Sequence, residues 1–184
     1  MIIPILFEDD NLLIINKPSG VVVHPFDHST EETIIDHLYT SYPELATVGS
    51  ETISLQDGRV ITLGGVVHKL DRETSGIMVF AKNTTTQEYL THLFRNHTIY
   101  KQYVALIEGV VTADELRINA PLGRNKKEYK QVAFPENPRG ALRDAITDLK
   151  VIIRGKDSTL VSLEPLTGRT HQLRAHMSHI LDLS

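Results

Sequence analysis

Val66-Val67-His68-Lys69-Leu70-Asp71-Arg72-Glu73-Thr74-Ser75-Gly76-Ile77-Met78-Val79-Phe80 runs from apolar residues through a polar turn and back into an apolar stretch. Ile77 to Phe80 reads as a buried strand, and Gly76 permits a tight turn into it. Asp71 stands inside this frame, between Leu70 and Arg72. Burying a lone carboxylate is costly, so Asp71 must face a cleft or be paired. Thr74 and Ser75 are suited to hydrogen bonds with local backbone. Two readings fit the segment equally: an Asp–Arg pair that closes a turn, and a functional carboxylate.

Working outward, Ile5 to Phe7 and Leu12 to Ile15 read as short strands around the acidic turn Glu8-Asp9-Asp10-Asn11. Lys17-Pro18-Ser19-Gly20 breaks the chain, and Val21 to Val23 resumes as an extended segment. The spacing of Ile34, Ile35, Leu38 and Tyr39 predicts a helix over Thr33 to Tyr42. Residues 44 to 62 carry weak periodicity and read as a loop or short excursion. Asn83 suits the N-cap of a helix reaching Phe94, with Tyr89, Leu90, Leu93 and Phe94 as its apolar stripe. Downstream, Tyr103 to Ile107, Asp114 to Ala120, Ala145 to Ile153 and Ser158 to Leu163 read as strands. The last two flank the hairpin turn Arg154-Gly155-Lys156-Asp157. Thr170 can cap a final helix that ends near Met177. The sum is an α+β fold with a mixed, mostly antiparallel sheet and peripheral helices.

Composition narrows the class. A hydrophobic fraction of 41% and a charged fraction of 23% over 184 residues are those of a globular domain. There is no cysteine, so thiolate ligands and disulfides are excluded, and a reducing compartment is expected. The apolar start Met1 to Phe7 lacks a basic flank and runs into Glu8-Asp9-Asp10, unlike a signal peptide, and no run has the length of a membrane span. A cytoplasmic protein without membrane attachment is the expectation. The net charge of -4 argues against a passive nucleic-acid coat. Arg124, Lys126, Lys127 and Lys130 nevertheless cluster, which fits either a solvated loop or an edge that contacts phosphates.

A second polar segment runs Gly168-Arg169-Thr170-His171-Gln172-Leu173-Arg174-Ala175-His176. It sets donors from Arg169, His171, Gln172 and Arg174 near a helix N-terminus, an arrangement that suits anions. His171, His176 and His179 invite a metal reading. Their spacings of five and three are not the spacing of four that places two ligands on one helical face, so no metal is expected.

Four segments then carry a resemblance. His68 to Gly76 closely resembles the signature of the RluA family of pseudouridine synthases, usually His-Arg-Leu-Asp-x-x-Thr-Ser-Gly. Asn16 to Pro25 looks like the family's opening motif, and Lys101-Gln102-Tyr103-Val104-Ala105-Leu106 resembles its Lys-x-Tyr strand. Pro165 to His176 resembles its last motif. Together they span residues 16 to 176 in the family's order. The resemblance implies a pseudouridine synthase fold over a single catalytic domain, 1–184, with no S4-type domain and a short C-terminus. It implies a monomer that needs no cofactor and acts on structured RNA, tRNA or rRNA.

The resemblance also assigns roles. Asp71 would attack C1′ of a uridine or remove its C2′ proton, with Arg174 as cationic partner. Tyr103 would stack on the detached uracil and help remove the C5 proton. His68, Lys69, Arg72, Arg169, His171, Lys126 and Lys127 are the expected RNA contacts, the last two as a phosphate edge. Lys17 and His24 receive no catalytic role. The family's usual Arg is Lys69 here, which keeps the charge but not the planar fork. The short C-terminus leaves a second reading open, a relative that binds RNA without catalysis. A carboxylate-dependent glycoside hydrolase would need a second carboxylate, and only Glu73 is near.

Overall fold

Ile5–Glu8 (β1) and Leu12–Lys17 (β2) form an antiparallel pair across the acidic turn. Asp9 shapes the turn, its carboxylate accepting the N–H groups of Asn11 and Leu12 at 2.7 Å each. In the computed structural model, residues 2–49, 51–125, 131–133 and 138–182 are described. The chain divides into two compact units, Met1–Thr98 and Ile99–Ser184. Among the described residues, no helix is long and apolar enough to cross a membrane.

In the first unit, Ile34–Ser41 forms α1. Its N-cap Thr33 and Asp36 make a reciprocal capping box. The carbonyls of Val22 and Val23 accept the N–H groups of Ile34 and Ile35 at 3.0 and 3.1 Å. The Val21–Val23 segment therefore satisfies a helix start and is not a strand. Residues 44 to 62 are more ordered than their weak periodicity suggests. Pro43–Thr47 is a 3-10 turn, and Thr52–Ser54 (β3) pairs with Val60–Thr62 (β4) as a hairpin. Asp57-Gly58 marks its turn, with Gly58 at φ 88°.

Gly76–Ala81 (β5) pairs with β2, completing the sheet β1-β2-β5. The expectation of a buried strand holds for one face of β5. Met78 and Phe80 are fully buried, whereas Ile77 is 63% exposed. Those two residues join Leu13, Ile15, Ile34, Ile35, Leu38, Leu45 and Val66 in one core. Helix α2, Thr84–Arg95, begins at N-cap Asn83 as expected. Its buried position is Gln87, whose amide donates to the Val66 carbonyl, and Tyr89 faces solvent.

The second unit holds Tyr103–Glu108 (β6), Glu115–Asn119 (β7), Leu122–Asn125 (β8), Gln131–Ala133 (β9), Pro138–Arg143 (β10), Ile146–Arg154 (β11) and Ser158–Pro165 (β12). Strands order β6-β12-β11-β7 in one antiparallel sheet and β10-β8-β9 in another. The predicted hairpin joins β11 to β12, with Gly155 N–H donating to the Ser158 carbonyl at 2.8 Å. Thr159, Val161, Leu163 and Pro165 alternate inward along β12. Ile107, Ile118, Leu149, Val161, Leu163 and Met177 form the core beneath. Arg124 lies in β8 rather than in a loop, while Lys126, Lys127 and Lys130 lie outside the described residues.

The last helix, α3, spans Gln172–Asp182, so it starts two residues after Thr170. His171 takes φ 53°, and the Arg169 carbonyl accepts the Gln172 N–H at 3.1 Å. That left-handed step, rather than a Thr170 cap, turns the chain into the helix.

Candidate active site

Two glycines aim the segment that leads to Asp71. A side chain on Gly64 would meet the Leu45 carbonyl at 2.0 Å, and one on Gly65 the Ala81 carbonyl at 2.6 Å. Gly65 sits at φ 71°. Only residues without Cβ let the backbone pass this close. Val66 then bridges Phe80 of β5, and the chain leaves the sheet toward Asp71.

Asp71 is half-buried at the start of a turn in which Thr74 N–H donates to its carbonyl at 3.1 Å. The turn is pinned by the Lys17-Pro18-Ser19-Gly20 break. Lys17 is fully buried, and its ammonium donates to the carbonyls of Pro18, Val21 and Arg72 at 2.8, 2.7 and 2.9 Å. Gly20 N–H donates to the same Arg72 carbonyl at 2.9 Å, and the Ser19 hydroxyl to that of Glu73 at 2.8 Å. Burial lowers the Lys17 pKa below its ordinary value, and the charges of Glu73 and Asp71 oppose that shift. All three partners are acceptors, so only the protonated lysine serves them. Sequence reasoning gave Lys17 no role; its partners are carbonyls, which carry no side-chain signature.

The predicted RNA contacts of this unit divide. Arg72 spends its guanidinium internally, on Glu31 at 2.8 Å and the Gly20 carbonyl at 3.2 Å. His68 stacks on Phe94 with centroids 4.5 Å apart, and its Nε2 accepts the Val79 N–H at 3.0 Å. Both side chains hold the fold around Asp71. Lys69 is exposed, with Nζ 2.9 Å from Nε2 of His24.

In the second unit, Tyr103 begins β6 opposite Leu163 and packs on the core that Leu173 and Met177 of α3 also join. A buried polar network fixes the start of α3. Gln172 accepts the Thr167 hydroxyl at 2.7 Å and the Arg169 N–H at 3.0 Å, and donates to the Ile146 carbonyl and Thr147 hydroxyl at 3.0 Å each. His176 is fully buried, with Nε2 3.0 Å from the Ala120 carbonyl and Nδ1 2.9 Å from the Thr147 hydroxyl. A carbonyl can only accept, so Nε2 carries the proton. Burial lowers the His176 pKa, which favours this neutral form.

Gln172 is thus a structural pin, correcting its reading as an anion donor. Arg169 gives its Nε–H to the Asp144 carbonyl at 2.9 Å, while Arg174 and His171 are exposed on the same helix start. Both ring nitrogens of His176 are engaged, and no metal-binding group of three or more His, Asp or Glu occurs among the described residues. Asp71 therefore belongs to the first unit, and Tyr103 and Arg174 to the second.

A family model described as RNA pseudouridylate synthase matches residues 11–179. The RNA pseudouridine synthase YlyB of Bacillus subtilis is 33% identical over 98% of this chain and 55% of its own length. Ribosomal large subunit pseudouridine synthase D of Haemophilus ducreyi is 34% identical over 96% of this chain and 49% of its own. Human RNA pseudouridylate synthase domain containing 1 superposes with a TM-score of 0.74 at 25% identity, covering 97% of this chain and 65% of that one. The chain spans about half the length of the curated relatives it matches. With nearly its whole length matched, the chain belongs to the RluA family of RNA pseudouridine synthases.

Proposed function

We propose that this chain isomerises uridine to pseudouridine in structured RNA, tRNA or rRNA, through the carboxylate of Asp71. The observation that carries the reading is the Asp71 turn, tied to the Lys17–Gly20 segment by three hydrogen bonds, from Lys17 and Gly20 to the Arg72 carbonyl and from Ser19 to that of Glu73. A carboxylate presented on fixed backbone suits work at an anomeric carbon.

 By this reading Asp71 either attacks C1′ as the N1–C1′ bond breaks or removes the C2′ proton to give a glycal. The freed uracil turns and C5 bonds to C1′ as the Asp71 ester breaks or, by the glycal route, as C2′ regains its proton. The C5 proton then leaves as N1 gains one, so atoms balance without a cofactor or metal. Arg174 is the cationic partner of Asp71, and Tyr103 stacks on the detached base and assists at the C5 proton. The two compact units act as one catalytic domain, and the target uridine leaves its stack to be reached. Lys69, Arg169, His171 and the segment carrying Lys126 and Lys127 contact the RNA backbone, and the protein works in the cytoplasm as a monomer.

Asp71→Ala is expected to abolish pseudouridine formation, measured by mapping pseudouridines in RNA from cells that lack the gene and carry the variant or the wild type. Binding of the same RNA is expected to persist. Modification by Asp71→Ala at the wild-type rate would overturn the assignment.

A further inference from the structure

Lys69 is exposed, yet its ammonium is already engaged. Its Nζ lies 2.9 Å from Nε2 of His24, and His24 Nδ1 lies 2.8 Å from the Pro25 carbonyl. The carbonyl can only accept, so Nδ1 carries the imidazole proton and Nε2 presents a lone pair to the lysine. The contact is ion to neutral. A phosphate oxygen carries a charge of its own, so it offers the same ammonium an ion pair in place of an ion-to-neutral contact.

We propose that His24 and Lys69 form a proton-linked phosphate contact, in which neutral His24 holds Lys69 until an RNA phosphate takes it. Nε2 of His24 then loses its donor, takes one proton from solvent and becomes a second cation beside the phosphate. Each binding event therefore takes up one proton, at Nε2 of His24. The inference rests on the reading of Lys69 as an RNA contact. It gives His24, which lies 45 residues away in sequence, a role as phosphate ligand and as the positioning residue for Lys69.

The surroundings of the ring set the direction of the effect. Among the described residues, the groups acting on His24 are Lys69, which is charged, and the Pro25 carbonyl. Burial and the Lys69 charge hold the imidazole below its ordinary value, and the Pro25 carbonyl partly opposes them. A bound phosphate raises it. Between the free and bound values, RNA affinity therefore strengthens as pH falls. The limit for one linked proton is about tenfold per pH unit.

The test measures the Kd of a short uridine-bearing RNA hairpin across this range at fixed ionic strength, with imidazole nitrogen NMR on the RNA-free protein. His24→Gln can still accept from Lys69 but cannot take up the proton, so its pH slope should vanish. Lys69→Met should raise the His24 pKa in the RNA-free protein. An Nε2–H tautomer in the wild type, or a His24→Gln slope equal to that of the wild type, would overturn the inference while the proposed function stands. Failure of the wild type to bind RNA at any pH would overturn both.

Discussion

The two segments expected to meet the substrate are fastened by different chemistry. In the first unit a buried charge grips backbone, with the Lys17 ammonium on three carbonyls around the Asp71 turn. In the second, neutral side chains interlock, and Gln172, Thr147 and His176 hold the start of α3. A charged clamp is strong only while every donor is matched, because an unpaired buried charge is expensive. A neutral network spreads the same task over groups that each contribute about 1 kcal/mol. The contrast teaches that the first fastening fails abruptly and the second by degrees.

The sharpest way to break the comparison is Lys17→Met. It leaves the Pro18 and Val21 carbonyls without this donor, at about 1–3 kcal/mol for each buried group. Hydrogen exchange should show the first unit opening more readily by about 3 kcal/mol, with the second unit's protection little changed. Equal loss in both units would mean that they do not open separately.

A smaller effect separates the fastenings by pH. The His176 pKa is lowered in the fold, so the unfolded chain binds the extra proton first as pH falls below about 6.5. The His176 contribution is thus fully present above that pH and is lost as pH falls toward the folded value, at no more than about 1.4 kcal/mol per pH unit. Lys17 must be protonated to serve its carbonyls and adds no such acid-side slope. Protection in the second unit should decline with acid, and His176→Asn should remove that decline. The smallest effect is expected at Arg117, whose paired contacts to Asp148 at 2.7 Å lie largely in solvent. Arg117→Ala should lower the second unit's unfolding midpoint only slightly, by an amount that shrinks with added salt.

What was legible in the sequence follows the same division. Periodicity and capping marked α1 from Thr33 and α2 from Asn83, and turn chemistry marked the β11–β12 hairpin at Gly155, because those signals are local. The β3–β4 hairpin escaped despite Asp57-Gly58, since strands of three residues give too short a pattern to count. Lys17, His176 and Gln172 could not be placed, because their partners come from distant strands and are often backbone. Asp71 was visible as an unusual carboxylate, but its assigned chemistry came from the resemblance of four segments to one family.

The contacts that shape the Asp71 turn also constrain when it can exist. Lys17 and Arg72 are 55 residues apart in sequence, and Ser19 and Glu73 are 54 apart. Closing so long a loop has an entropic cost that neighbouring residues cannot offset alone. The pairing of β2 with β5 brings the two ends together, so the turn takes shape only after that pairing forms. On the ribosome, a nascent chain ending before β5 therefore carries Asp71 without its geometry.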